Sequence, residues 1–213
     1  LELTQAQHLV GNMEEAEELF ATVLDHTPDL LERADIYAIK VILYAGAGKY
    51  AEAVQTGINA LAKLGVRVPL QPSRLDYARE FLLSRWYMLN KKIEDLRDLP
   101  EPRKPVYAKV AELFSRLCTV TLAWHPELYS FIIIKAGNHS VRHGNTEMCS
   151  MGYLGYAITA GSVLGNYAAG ERYGRMCLDL LSRYPHSSYQ CLINFVYGCF
   201  IVHWTNYAAL ALE

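Results

Sequence analysis

Laid over itself with an offset of 37 residues, the chain repeats a pattern. Gly11-Asn12-Met13-Glu14-Glu15-Ala16, continued by Phe20, Val23 and Pro28, aligns with Gly48-Lys49-Tyr50-Ala51-Glu52-Ala53, continued by Gly57, Ala60 and, after a short shift, Pro69. In each copy a glycine ends one helix. A small residue five positions on, Ala16 or Ala53, opens the buried face of the next. A period near ~34 residues is that of tandem helical hairpins. Such a hairpin cannot bury its apolar face alone and must stack on neighbours. A third copy follows Gly165-Asn166, with Gly170, Gly174 and Cys177 five, nine and twelve residues beyond Gly165. The expected fold is therefore an all-α solenoid of about nine helices.

The rest of the chain reads as helix almost throughout, without sustained alternation of period two. Residues 1–10 look like the tail of a first helix, and 13–25 form a second. Residues 30–46 and 50–64 make a hairpin stopped by Gly65. A connector, Val66 to Ser73, leads to Ser73 as N-cap of a helix over 74–97. Leu99-Pro100-Glu101-Pro102-Arg103-Lys104-Pro105 is the best internal boundary. It divides N-terminal repeats (1–98) from C-terminal repeats (106–213), the connector at 99–105 leaving one continuous superhelical domain. Proline is tolerated in a first helical turn, so Pro105 can start the next helix, 106–123. His125-Pro126 breaks it, another helix runs to His143, and Gly144-Asn145 turns the chain. Helices over 146–164 and 188–207 complete the pattern.

Composition narrows the function. The chain is 52% hydrophobic and 20% charged, with formal net charge -2. That fits a packed core rather than disorder and gives no general electrostatic basis for binding nucleic acid. Five cysteines, an odd number without a Cys-x-x-Cys spacing, lie in apolar helical context. They read as buried, inert thiols of a reducing compartment, so a cytoplasmic location is expected. The first residues, Leu1-Glu2-Leu3-Thr4, show no basic segment followed by an apolar run and no initiator Met. They begin inside a helical pattern, and the chain is expected to be a piece of a longer protein. Two windows, 148–170 and 184–212, carry no Asp, Glu, Lys or Arg. Their Gly, Ser, Asn and His content favours helices sandwiched between other helices over membrane spans. An uncharged C-terminal third without a polar capping helix predicts an apolar patch there, through which the chain would self-associate or meet the next domain.

No motif supports catalysis, and the chain is expected to be non-enzymatic and free of cofactors. Ala45-Gly46-Ala47-Gly48-Lys49 resembles a phosphate loop, but Leu43 and Tyr50 stand where glycine and Ser or Thr are required, and no strand precedes it. His139 and His143, four apart on one helix, would be the ligands were a metal bound. Ser140 replaces the Glu of a zinc-protease helix, so capping and packing is the preferred reading. Fifteen tyrosines are an excess. Tyrosine provides amphipathic contact area at low entropic cost, and Tyr129, Tyr153, Tyr156 and Trp204 are the candidate partner-binding residues; the preferred reading of the tyrosines is packing between helices with their hydroxyls capped.

A longer pattern joins these segments. Leu64-Gly65-Val66-Arg67-Val68-Pro69 leads through one helix to Leu99-Pro100-Glu101-Pro102, then to Ala123-Trp124-His125-Pro126-Glu127-Leu128. The Gly144-Asn145 turn, Gly152-Tyr153-Leu154-Gly155-Tyr156, Tyr173-Gly174 and His203-Trp204 follow. Over roughly residues 40–207 the chain resembles the tetratricopeptide-like region of large bacterial signal-transduction ATPases. In that family a P-loop ATPase module precedes the repeats, often behind a Ser/Thr kinase domain, and sensor or output domains follow. The resemblance transfers no catalytic residue, since the ATPase and kinase motifs are not in this sequence. It implies a regulatory arm whose partner is a protein or the adjacent domains of its own chain. The second reading is a small-molecule sensor with a pocket between helices 146–164 and 188–207.

Overall fold

The computed structural model describes residues 12–205, so the expected helical tail at 1–10 lies outside the described residues. Among the described residues the chain forms nine α-helices and no strand. They are α1 (Met13–His26), α2 (Leu30–Gly46), α3 (Tyr50–Lys63), α4 (Arg74–Tyr87), α5 (Pro105–Trp124), α6 (Pro126–His143), α7 (Cys149–Ile158), α8 (Tyr167–Leu181) and α9 (Gln190–Val196). A 3-10 turn spans Glu94–Asp98. Wider π-helical turns extend α7 over Thr159–Val163 and α9 over Tyr197–Ile201.

The helix ends follow from local chemistry. After α2, Gly48 takes φ +74°, letting its N–H reach the Ala45 carbonyl at 3.1 Å and that of Lys49 the Tyr44 carbonyl at 2.9 Å. This is a Schellman stop, and Gly65 repeats it after α3 with φ +82°. The apparent phosphate loop is thus a helix C-terminus. Asp29 caps α2 by accepting from the Leu31 amide. Ser73 and Asp76 form a reciprocal capping box at the start of α4. Pro105 and Pro126 occupy the first turns of α5 and α6, and Asn166 caps α8 through the Ala169 amide.

Helices pack in chain order with one exception. α2 lies on α3, α3 on α5, α5 on α6, α6 on α7 and α7 on α8, with further contacts of α2 to α5 and α5 to α7. The order skips α4. Residues 64–104 form an excursion that leaves the stack after α3, lays α4 across α6, and returns at α5. The expected helix over 74–97 is therefore corrected: it ends at Tyr87, because Asn90 turns the chain with φ +61°. That turn sends Leu96 into the core, fully buried. The returning strap is tied down at several points. Glu94 takes Arg172 of α8 in a two-point pair at 2.6 and 2.9 Å, and Arg183 donates to the Arg97 carbonyl at 2.6 Å. Asn145 donates to the Leu96 carbonyl at 2.6 Å and through its amide to Pro100 at 2.9 Å.

One apolar core runs from Ala38 to Ile201, crossing the proline-rich connector. Ala16 and Ala53, aligned by the repeat, are both buried. At the α6–α7 crossing, a Cβ on Gly152 would come within 2.7 Å of the Gly137 backbone, so only glycine permits that approach. Every residue from Cys149 to Ala157 of α7 is buried, which accounts for the absence of charge in its sequence. No helix among the described residues is long and apolar enough to cross a membrane. The expectation of five buried thiols is corrected as well. Cys118, Cys149 and Cys177 are buried, but Cys191 and Cys199 are exposed on α9 and its extension, which cover the core from one side only.

Candidate functional site

The chemistry of the surface concentrates around α4. Because α4 stands outside the stack, it has two working faces. Its inner face packs on α6. The Tyr77 hydroxyl donates to the Glu127 carbonyl at 2.5 Å, and its ring meets Phe131 edge-on at 5.5 Å. One turn further on, Glu80 is only 2% exposed. A buried carboxylate is tolerable only when paired and hydrogen-bonded. Lys135 of α6 donates to its Oε1 at 2.5 Å, and Asn138 Nδ2 donates to its Oε2 at 2.8 Å and to its backbone carbonyl at 3.0 Å. The other end of that amide, Asn138 Oδ1, accepts the Ser84 hydroxyl of α4 at 2.7 Å and the Tyr156 hydroxyl of α7. Asn138 is thereby the junction of three helices, every polar atom of its side chain engaged.

Two clefts flank this junction. On one side, a cleft of about 290 Å3 opens between α4, α6 and the turn after α3. Arg67, Arg79, Lys135 and Arg142 line it, together with His139 and His143, and the buried Glu80 and Asn138 form its floor. An adjoining lobe of about 220 Å3 shares Arg67, Arg79, Glu80 and Lys135 and adds Asp76. On the other side of α4, an open groove of about 630 Å3 is bounded by Phe81, Trp86, Met88 and Leu89 and by Ile134, Tyr156 and Tyr173 of α6, α7 and α8. The outer face of α4 beside it carries Leu75, Leu82 and Trp86, a spacing that places all three along one stripe, and Leu89 follows in the turn after the helix. Leu82 and Trp86 are each 69% exposed.

The residues singled out from sequence occupy different places. Tyr153 is fully buried and donates to Asn145 at 2.8 Å, so its contact area is spent inside the fold. Tyr156 is buried too, yet one side of it forms the floor of the apolar groove. Burial raises the hydroxyl pKa of both. Tyr129 is half-buried against the core, its hydroxyl pKa also raised by burial. Trp204 packs into the space left by two glycines: a Cβ on Gly170 would lie 2.6 Å from its ring, and its indole also covers Gly161. Tyr197 and Ile201 fill the space beside Gly174 in the same way. The region expected to hold a sensor pocket, between 146–164 and 188–207, is thus occupied in part by these side chains.

His139 and His143 do share one face, with ring centroids 4.7 Å apart. Nε2 of His139 donates to the Tyr107 carbonyl at 2.9 Å, and His143 stacks on the Tyr107 ring at 3.8 Å. Burial, reinforced by the charges of His143, Arg142 and Lys135, brings the His139 pKa down to about 4. Among the described residues no group of three or more His, Cys, Asp or Glu could hold a metal. Cys149, close in sequence, is engaged with Thr146 and the Gly144 carbonyl.

Sequence reasoning missed α4 as the centre of this arrangement. Its signal was present in the capping box and in Leu75, Leu82, Trp86 and Leu89, but a helix apolar on both sides shows no single dominant face. No protein-family model matches the chain, and neither a curated protein nor a solved structure matches it.

Proposed function

We propose that the chain is a non-catalytic interaction domain, a tetratricopeptide-like stack of hairpins that docks a protein segment or an adjacent domain of its own parent protein. On this reading α2–α3, α5–α6 and α7–α8 are the hairpins, supported by the neighbour and next-neighbour packing of the helices in chain order. The observation that carries the docking role is the outer face of α4 with its groove. Leu82, Trp86 and Leu89 project apolar surface beside a concavity of about 630 Å3 floored by Tyr156 and Tyr173. Exposed tryptophan and large aliphatic residues beside a concave, tyrosine-bearing floor are the composition of interaction hot spots. Arg85 and Asn90 at the rim supply polar edges. On this reading, which follows the sequence resemblance to signalling ATPases, the surface belongs to a regulatory arm inside a multidomain protein of the cytoplasm.

Hydrogen exchange tests the docking. Amides of α4 should exchange several-fold more slowly in the full parent protein than in the isolated chain, and Trp86→Ser should remove the difference. Identical exchange in both contexts, with Trp86→Ser without effect, would reject the groove as the docking surface.

A further inference from the structure

The cleft on the inner side of α4 is chemically unlike the groove on its outer side. Four cationic side chains line it, Arg67, Arg79, Lys135 and Arg142, against the single carboxylate of Glu80. That is a surplus of three positive charges within about 290 Å3, in a chain whose formal net charge is -2. Only Lys135 among the four has an ion pair, and its partner Glu80 is itself held by Asn138. Arg142 reaches the Tyr87 hydroxyl at 3.3 Å and sits over that ring at 5.9 Å, with no carboxylate. Neither Arg67 nor Arg79 has an ion pair or hydrogen bond among the described residues. The one acidic group near both, Asp76 of the adjoining lobe, caps α4 with Ser73; its carboxyl is held below the usual range by Ser73 and by the pull of Arg67 and Arg79, so across both lobes the surplus is two. Elsewhere Lys40, Lys109, Arg172 and Arg175 are each matched to a carboxylate. Gathering guanidinium groups without close ion pairs around a recess raises the electrostatic energy of the protein unless an anion enters.

We propose that this cleft binds a small phosphate monoester, with Arg67, Arg79 and Arg142 and the free protons of Lys135 holding the phosphate. A phosphate monoester carries a charge of about -1.5 to -2 near neutral pH and three acceptor oxygens, more than one carboxylate can return to a threefold surplus. Guanidinium forks match those oxygens in pairs. Glu80, itself held by Asn138, fixes Lys135 from below, while Arg67 and Arg79 are exposed at the mouth. The size of the cleft, at the lower end of the range for ligand pockets, fits a metabolite rather than a polymer. This assignment is independent of whether the outer face of α4 docks a protein.

Titration calorimetry at low ionic strength tests it, with inorganic phosphate, pyrophosphate and O-phosphoserine as probes and with succinate and a phosphoserine peptide as comparators. The expected result is saturable binding of all three, weakened at least tenfold by Arg67→Ala combined with Arg79→Ala. Both side chains are exposed, so this variant should fold, and an unchanged melting midpoint without ligand checks that it does. Arg85→Ala, on the rim of the opposite groove, should leave binding unchanged. Absence of saturable binding by any probe overturns the proposal. So does equal weakening by Arg85→Ala, which would mean diffuse charge attraction. Succinate binding as tightly as pyrophosphate overturns the phosphate class. Binding only of a phosphoserine peptide, with the free amino acid inert, overturns the small-molecule assignment in favour of a peptide.

Discussion

Single residues decide where this fold tolerates no substitution. Gly144 has φ +105° and ψ 178°, a region open to glycine almost alone, and a Cβ there would collide with the Pro100 carbonyl. Gly144→Ala should lower stability by about 2 kcal/mol or more, read as a shift in the urea midpoint; an unchanged midpoint would mean the connector does not lie there. Ala53, fully buried at the start of α3, leaves no room for a ring. Ala53→Phe should destabilise by roughly 1–3 kcal/mol through overpacking, and an unaltered melting temperature would show that the repeat register is wrong. Asn138→Leu keeps the volume and removes the junction, leaving Glu80, Ser84 and Tyr156 short of partners. A loss of about 3 kcal/mol is expected, since buried polar groups without partners carry the full desolvation penalty of ~1–3 kcal/mol each.

At the scale of elements, α4 carries a buried, paired carboxylate on one face and exposed apolar residues on the other. Lys135→Met strands the Glu80 carboxylate in a buried site and should destabilise by about 3–5 kcal/mol, the usual effect of breaking a buried pair from one side. Trp86→Ser, on the exposed stripe of the same helix, should change stability by less than about 0.5 kcal/mol while abolishing docking. Circular-dichroism melts of the two variants side by side would separate these roles. Equal losses would mean that the outer stripe is part of the core. The helix was legible in sequence through Ser73 and Asp76, whereas its end at Tyr87 was not. Leu89-Asn90-Lys91 contains no glycine or proline, and the left-handed turn at Asn90 that carries Leu96 into the core has no such marker. Pro100 and Pro102 marked the connector, but its path over α8 rests on Glu94–Arg172, a pair 78 residues apart in the chain.

For the whole molecule, one partly buried imidazole gives stability a pH dependence. The pKa of His139 falls from 6.5 to about 4 on folding, so between those values the unfolded chain binds the proton and the folded one does not. Its contribution is complete above pH 6.5 and is lost progressively as pH drops toward 4. Such a shift corresponds to roughly 3 kcal/mol. Denaturant midpoints measured from pH 7.5 to 4 should fall over that window, and His139→Asn should flatten the slope; a slope unchanged in the variant would assign the effect to other groups. Exposed apolar surface recurs beyond α4, at Val163, Leu164 and Tyr167 and at Phe195 and Phe200, whose rings meet edge-on at 6.0 Å. The self-association expected at the C-terminal end should appear in sedimentation at micromolar concentration and be reduced by Phe195→Ser with Phe200→Ser. A clean monomer that binds no hydrophobic dye would refute it.

The sequence by itself determined the helical class, the stops at Gly48, Gly65 and Gly144, and the starts at Ser73, Pro105, Pro126 and Asn166. Those features depend on backbone conformation and capping within a few residues, and the chain carries both in its local chemistry. Tertiary structure alone decided that Tyr153 and Tyr156 face inward, that Trp204 fills the hollow over Gly161 and Gly170, and that residues 64–104 leave the stack. It also brought Arg67, Arg79 and Arg142 around Glu80. These outcomes join residues tens of positions apart, and composition or spacing along the chain does not encode which side of a helix another segment will cover.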